Sequence, residues 1–129
     1  MIAVDTNVLA RYVTNDDPAQ GAKALQVMRH EEIFIPKTVL LELEWVLRGG
    51  YKFERAAIHW AMAGILGLPN VTVEDSVHVR DALHWYEAGL DFADALHVAS
   101  CSKLQRFVTF DDRLVKRAKK LPTVEVVSL

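Results

Sequence analysis

The chain contains a single cysteine, Cys101. No internal disulfide can form, and no cysteine-based metal site can form alone; both absences fit a reducing cytoplasm. Cys101 itself reads as a small buried hydrophobe rather than a nucleophile. Long hydrophobic runs are missing too. The most apolar stretch, AAIHWAMAGILGL from Ala56 to Leu68, contains His59 and falls short of the roughly 20 residues that span a bilayer. The N-terminus lacks the basic region and long apolar core of a secretory signal, so no membrane partner is expected. There is no large excess of one charge. The formal net charge of −2 gives no whole-chain sign of nucleic-acid binding, although a local basic patch can suffice. Repeats, low-complexity tracts and interdomain linkers are absent.

What is present suits one globular domain over residues 1–129, about half apolar and a quarter charged. A chain of this length can bury roughly two thirds of its unfolded surface. Short apolar runs alternate with helical patterns. Ile2 to Val4 is a first strand, followed by helical spacing through Val8, Leu9, Tyr12 and Val13. Asn15-Asp16-Asp17-Pro18 starts a helix toward His30, with an Asp cap and Pro at the first helical position. Ile33 to Ile35 is a second strand stopped by Pro36. Thr38 caps a helix ending at Gly49-Gly50. A further helix covers Glu54 to Leu66, and Val71 to Val73 is a third strand. Glu74-Asp75 opens a helix to Ala88, which Gly89 breaks. The pattern then predicts a helix from Phe92 to Leu104, a strand at Phe107 to Thr109, a helix from Asp112 to Lys120 and a last strand at Val124 to Val127.

Strands alternating with helices imply an α/β fold with a parallel sheet covered on both faces. In such sheets functional groups gather at the carboxyl ends of strands. Asp5 follows the first strand and Asp111 follows the fourth. Each Asp can equally cap the next helix. Glu42, in TVLLELEWVL, lies at the edge of an arc formed by Val39, Leu40, Leu43, Val46 and Leu47. Glu44 falls on roughly the opposite side of that helix, so the two glutamates cannot serve one site. Asp91 and Asp94, in LDFADALHVAS, share a helical face at a helix N-terminus, where acids favour the dipole. Asp111 and Asp112 can each cap the last helix, and only one is needed. Clustered carboxylates repel unless they protonate or hold a cation, and oxygen-only ligands suit Mg²⁺ or Mn²⁺.

The segments DTNVLAR, VLLELEWVL, DFADALHVA and VTFDDRL, in that order and spacing, resemble the PIN-domain ribonucleases, in particular toxins of VapBC-type toxin–antitoxin pairs. The resemblance covers essentially the whole chain. It implies a five-stranded parallel sheet in the order 3-2-1-4-5. It implies that Asp5, Glu42, Asp94 and Asp111 are the catalytic acids and hold Mg²⁺ or Mn²⁺, and Asp91 matches a position that is frequently acidic. Thr6, Asn7 and Thr109 would orient these groups. The implied activity is metal-dependent hydrolysis of RNA phosphodiester bonds. The implied partners are an RNA substrate, a VapB-like antitoxin and a second copy of the chain.

Around this constellation, Arg113, Lys116, Arg117 and Lys120 fall on one face of the last helix. They form either a solvated face or a phosphate-tracking stripe near Asp111. Arg11 is a second candidate for RNA contact. His30, His59, His78, His84 and His97 are too scattered for a histidine metal site. Trp45, Trp60 and Trp85 read as core or interface residues, and the helix from Ala56 to Leu66 with Trp60 and the helix bearing Trp45 are candidates for the antitoxin's groove.

Competing readings fare differently. A phosphotransfer receiver would want an Asp ending the third strand and a Lys near the last strand's end. The chain has Val73-Glu74 and VEVVSL there. A dehalogenase-like motif would want a second Asp where Asn7 stands. A binding module that uses its acids without catalysis remains an alternative for experiment to separate.

Overall fold

The computed structural model describes residues 1–129 except Ser102, and divides into two compact units, Met1–Ser76 and Val77–Leu129. In the first unit, β1 (Ile2–Ala3) leads into α1 (Thr6–Thr14) and α2 (Pro18–His30). Next come β2 (Ile33–Ile35), α3 (Lys37–Trp45) and a π-helical turn at Val46–Gly50. The unit closes with α4 (Arg55–Leu66) and β3 (Val71–Val73). Its sheet is parallel with β2 central: Ile33 pairs with Ile2 on one side and Val71 on the other. Central placement explains the apolar run IFI, because Ile33 and Ile35 are fully buried. Leu9, Leu40, Leu43, Leu47, Ile58 and Met62 are fully buried around it.

In the second unit, α5 (Ser76–Glu87, beginning at the boundary) is followed by α6 (Phe92–Ala99), β4 (Arg106–Thr109), α7 (Asp112–Ala118) and β5 (Glu125–Ser128). Strands β4 and β5 form a separate parallel pair, registered Arg106 to Glu125 and Thr109 to Ser128. Tyr86 and Phe92 pack edge to face at 5.4 Å between ring centres. Gly89, at φ +117°, makes the reversal between α5 and α6 in a conformation L side chains avoid.

The α/β class and the parallel pairing agree with the sequence pattern. A single sheet in the order 3-2-1-4-5 is not what the structure pairs: the sheets are β1-β2-β3 and β4-β5. A β1 of only two residues offers few backbone groups beyond those bonded to β2. Two helix ends also differ from expectation. Thr38 does not cap α3; the cap position is Pro36, with no side-chain bond. Instead Glu74 Oε1 accepts from Lys37 N at 2.8 Å, a carboxylate brought to the helix start from the end of β3. Helix α6 stops at Ala99, short of Leu104. Ser100 turns its hydroxyl back onto the Leu96 carbonyl at 2.7 Å, and Cys101 Sγ donates to His97 O at 3.3 Å. Cys101 is therefore half-exposed rather than buried, and Ser102, inside the expected helix, lies outside the described residues. No helix among the described residues is long and apolar enough to cross a membrane.

Candidate active site

Three of the acids singled out by sequence are helix caps. Asp5 Oδ1 accepts from Val8 N at 3.1 Å at the start of α1. Asp91 Oδ2 accepts from Asp94 N at 3.2 Å at the start of α6. Asp111 Oδ1 accepts from both Arg113 N and Leu114 N at the start of α7. Capping uses one carboxylate oxygen. In each case the second oxygen has no hydrogen bond among the described residues, so capping and ligand binding are compatible. Asp112 is committed elsewhere, accepting from Ser128 Oγ at 2.9 Å and tying α7 to β5.

In the N-terminal unit, buried Thr6 donates its hydroxyl to Glu42 Oε1. One residue past the Asp5 cap thus fixes the exposed glutamate on α3. The second glutamate of that helix behaves otherwise. Glu44 is only 2% exposed, and Arg48 Nε bonds its Oε2 at 2.9 Å. The two glutamates do face apart, but the side away from Glu42 is interior. Burying a carboxylate is tolerable when a guanidinium shares it. Sequence reasoning missed this pair, although Arg48 stands four residues after Glu44, the spacing of a helical ion pair.

In the C-terminal unit, Asp94 is half-buried in the first turn of α6. Burial pushes its carboxyl above the ordinary range, the charges of Asp91 and Asp111 push it further, and His97 opposes them. Asp91 also accepts from the Asp94 amide, which ties the two acids to one helix start. Thr109 Oγ1 accepts from Asp111 N at 2.9 Å and fixes the turn carrying that acid. Among the described residues, no group of three or more His, Cys, Asp or Glu is gathered closely enough to hold a metal.

The cations divide unequally. Arg113, Lys116 and Arg117 are exposed while Leu114 and Ala118 are buried, so α7 presents a basic outer face; the helix ends at Ala118, and exposed Lys120 lies in the turn beyond it, not on the expected last turn of helix. Arg117 also reaches the Gly89 carbonyl at 3.1 Å. Arg11 is already engaged: its Nη1 meets both oxygens of Asp16 and the Tyr51 hydroxyl at 2.9 Å, and its Nε meets Gln20 at 2.8 Å. The histidines converge nowhere as a set. Trp85 is buried, whereas Trp45 and Trp60 are 63% and 80% exposed.

Acids at strand ends, each doubling as a helix cap, on parallel α/β units are the features of the PIN domain. The PIN domain family model matches residues 2–120, and the chain belongs to that family. It is similar to a VapC ribonuclease of Aquifex aeolicus (strain VF5), at 28% identity over 124 residues, covering 90% of this chain and 91% of the relative.

Proposed function

We propose that this protein is a Mg²⁺- or Mn²⁺-dependent endoribonuclease, acting in the cytoplasm as the toxin of a toxin–antitoxin pair. The observation that carries the reading is the oxygen left over on each capping acid: Asp5, Asp91 and Asp111 each spend one carboxylate oxygen on a helix start, and the other has no hydrogen bond among the described residues. A cation would also favour the charged form of half-buried Asp94, which burial and the charges of Asp91 and Asp111 disfavour. The similarity to a VapC ribonuclease supplies the reaction class.

In this reading residues 1–129 work as one domain, and Asp5, Glu42, Asp94 and Asp111 hold the cation. The donor chemistry fits: all four offer carboxylate oxygen, the preferred ligand of these hard ions. The assignment of the four to one site rests on that chemistry and on the family motif. When bound, the cation supplies Lewis acidity to a phosphoryl oxygen and lowers the pKa of a water. The protein's own residues then have separable tasks. Asp5 and Asp111 are held rigid by the helix starts they cap. Thr6 keeps Glu42 in one orientation, a role that outer partners of metal ligands commonly fill. Thr109 positions the turn that carries Asp111, and Asn7, beside Asp5, is the other candidate for orienting the site. The exposed basic face of α7 meets the RNA backbone. Hydrolysis adds a water oxygen to phosphorus and breaks the bond to the 3′ oxygen, which takes up a proton. The products are a 5′-phosphate and a 3′-hydroxyl.

The antitoxin would cover exposed apolar surface, for which α3 with Trp45 and α4 with Trp60, Ala56, Ala57 and Ala63 are the candidates. A homodimer is part of the same reading. Cleavage of single-stranded RNA with Mg²⁺ or Mn²⁺, repeated in EDTA and with Asp5→Asn, tests the function. Cleavage that survives EDTA and Asp5→Asn would sink it, and RNA binding with no cleavage under any condition would favour a non-catalytic module. Trp60→Ala should weaken antitoxin binding; unchanged affinity removes α4 from that interface.

A further inference from the structure

Beside Asp5, helices α1 and α2 enclose a cleft of about 310 Å³. The cleft is lined from one stripe of each helix. Positions 20, 23, 24 and 27 follow the i, i+3, i+4, i+7 spacing of a single α2 face. Its floor is apolar, from Val8 on α1 and Ala24 and Val27 on α2. Asp5 and Asn7 stand on its α1 side. The Arg11–Gln20 pair forms another part of the wall, with the guanidinium neutralised by Asp16. Lys23 is different: it is exposed, and it has no ion pair or hydrogen bond among the described residues.

These features share one chemistry. The volume lies at the lower end of ligand pockets, roughly 300–1,000 Å³, and suits one planar base rather than a stack. The apolar floor can take the face of a base. Asn7 can hydrogen-bond a base edge, and Lys23 supplies the cation a flanking phosphate needs. Asp5, one of the proposed cation ligands, is itself part of the cleft wall. We propose that the α1–α2 cleft is a nucleotide subsite, seating one RNA base next to the scissile phosphate while Lys23 contacts the backbone. This rests on the ribonuclease reading above and adds to it a determinant of where the strand is cut.

The test uses the full chain with two variants and a short single-stranded RNA cleaved by the parent protein. Lys23→Gln changes an exposed side chain and needs no repacking. It should weaken binding of fluorescent RNA about three- to tenfold at low salt, and should reduce the slope of log affinity against log salt by about 0.7. Val27→Trp fills the cleft; its fold is checked by melting. Against a series of RNAs with a single abasic position, the parent should lose about three- to tenfold at one position beside the cut, as expected for burying a base on an aliphatic floor. Val27→Trp should cut the intact RNA more slowly and no longer distinguish that abasic RNA. A parent indifferent to every abasic position, or an unchanged salt slope in Lys23→Gln, overturns the subsite while metal-dependent cleavage by the parent leaves the ribonuclease reading standing. Loss of antitoxin binding in folded Val27→Trp with RNA cleavage unchanged would assign the cleft to a protein side chain and also overturn it. A parent that cleaves no RNA fails at the underlying reading, and that failure is visible before any variant is made.

Discussion

In the N-terminal unit the acids of interest are held by donors: Asp5 by the amide of Val8, Glu42 by the hydroxyl of Thr6, Glu44 by Arg48, and Asp16 by Tyr51, Thr14 and Arg11. In the C-terminal unit Asp94 faces the charges of Asp91 and Asp111, and its proximity to His97 relieves only part of that load. Asp91 and Asp111 are oriented by helix caps as well, so the contrast lies in Asp94, whose carboxyl stands among like charges instead of being drawn down by donors. Orientation alone can be explained by folding. Accumulated like charge opposes folding, which makes Asp94 the more informative of the acids.

The largest effect that can break this contrast comes from Asp94→Asn. If Asp94 serves the reaction, cleavage should fall about a hundredfold or more. The metal-free protein should melt at a higher temperature than the parent at neutral pH. The sign follows from linkage: a carboxyl raised by burial and like charge binds its proton more tightly when folded, so the native state is favoured at low pH. Its contribution is lost as pH rises from the ordinary carboxylate range through the raised value. Melting curves in EDTA against pH should show this decline in the parent and a flatter profile in Asp94→Asn. A lower melting temperature with full activity would return Asp94 to a helix-dipole role.

The two glutamates of α3 sharpen the contrast within one helix. Glu42→Gln should lose cleavage with little change in stability, because Glu42 is exposed. Glu44→Gln should keep cleavage and lose stability, by about 1–3 kcal/mol, since it weakens a bond to a charged partner at a buried site. Arg48 is half-exposed, which keeps the cost below that of a fully buried pair. Equal activity of the two variants would remove Glu42 from the site. Thr6→Val is expected to act through Glu42, lowering cleavage roughly ten- to a hundredfold while the RNA salt slope stays unchanged.

Much of this was legible because helix caps are local. Asp17-Pro18, Asp5, Asp91 and Asp111 all stand where the chain enters a helix, and each bonds an amide two or three residues on. What was not legible depends on partners distant in sequence or on competition between local bonds. The cap of α3 comes from Glu74, 37 residues away, and no local rule points to it. Helix α6 ends at Ala99, where Ser100 and Cys101 turn their side chains back onto the Leu96 and His97 carbonyls, a local detail that helical spacing does not carry. Helix geometry put Glu44 on the side away from Glu42, but the interior nature of that side depends on packing around α3. The exposure of Trp45 and Trp60 goes against their hydrophobicity and shows where the apolar pattern stops describing the core.

The smallest effect concerns the opposite sign of titration in the N-terminal unit. Asp16 is held below the ordinary carboxylate range, first by the Tyr51 hydroxyl at 2.7 Å, then by Thr14 and Arg11, against a desolvation penalty. A depressed carboxyl stabilises the fold above its unfolded value and loses that contribution as pH falls through the folded one. Tyr51→Phe removes the leading cause and leaves Thr14 and Arg11 in place. The melting temperature should therefore drop slightly near neutral pH, and the difference from the parent should shrink as the pH falls below the carboxylate range. Asp94→Asn carries the reverse signature, a gain that grows with pH. Measuring both variants across one pH series separates the two units by sign, independently of any RNA. A Tyr51→Phe deficit that persists unchanged in acid would mean that Tyr51 acts through packing, such as its edge contact with Phe53 at 6.1 Å, and that Asp16 is held by Arg11 and Thr14 without it.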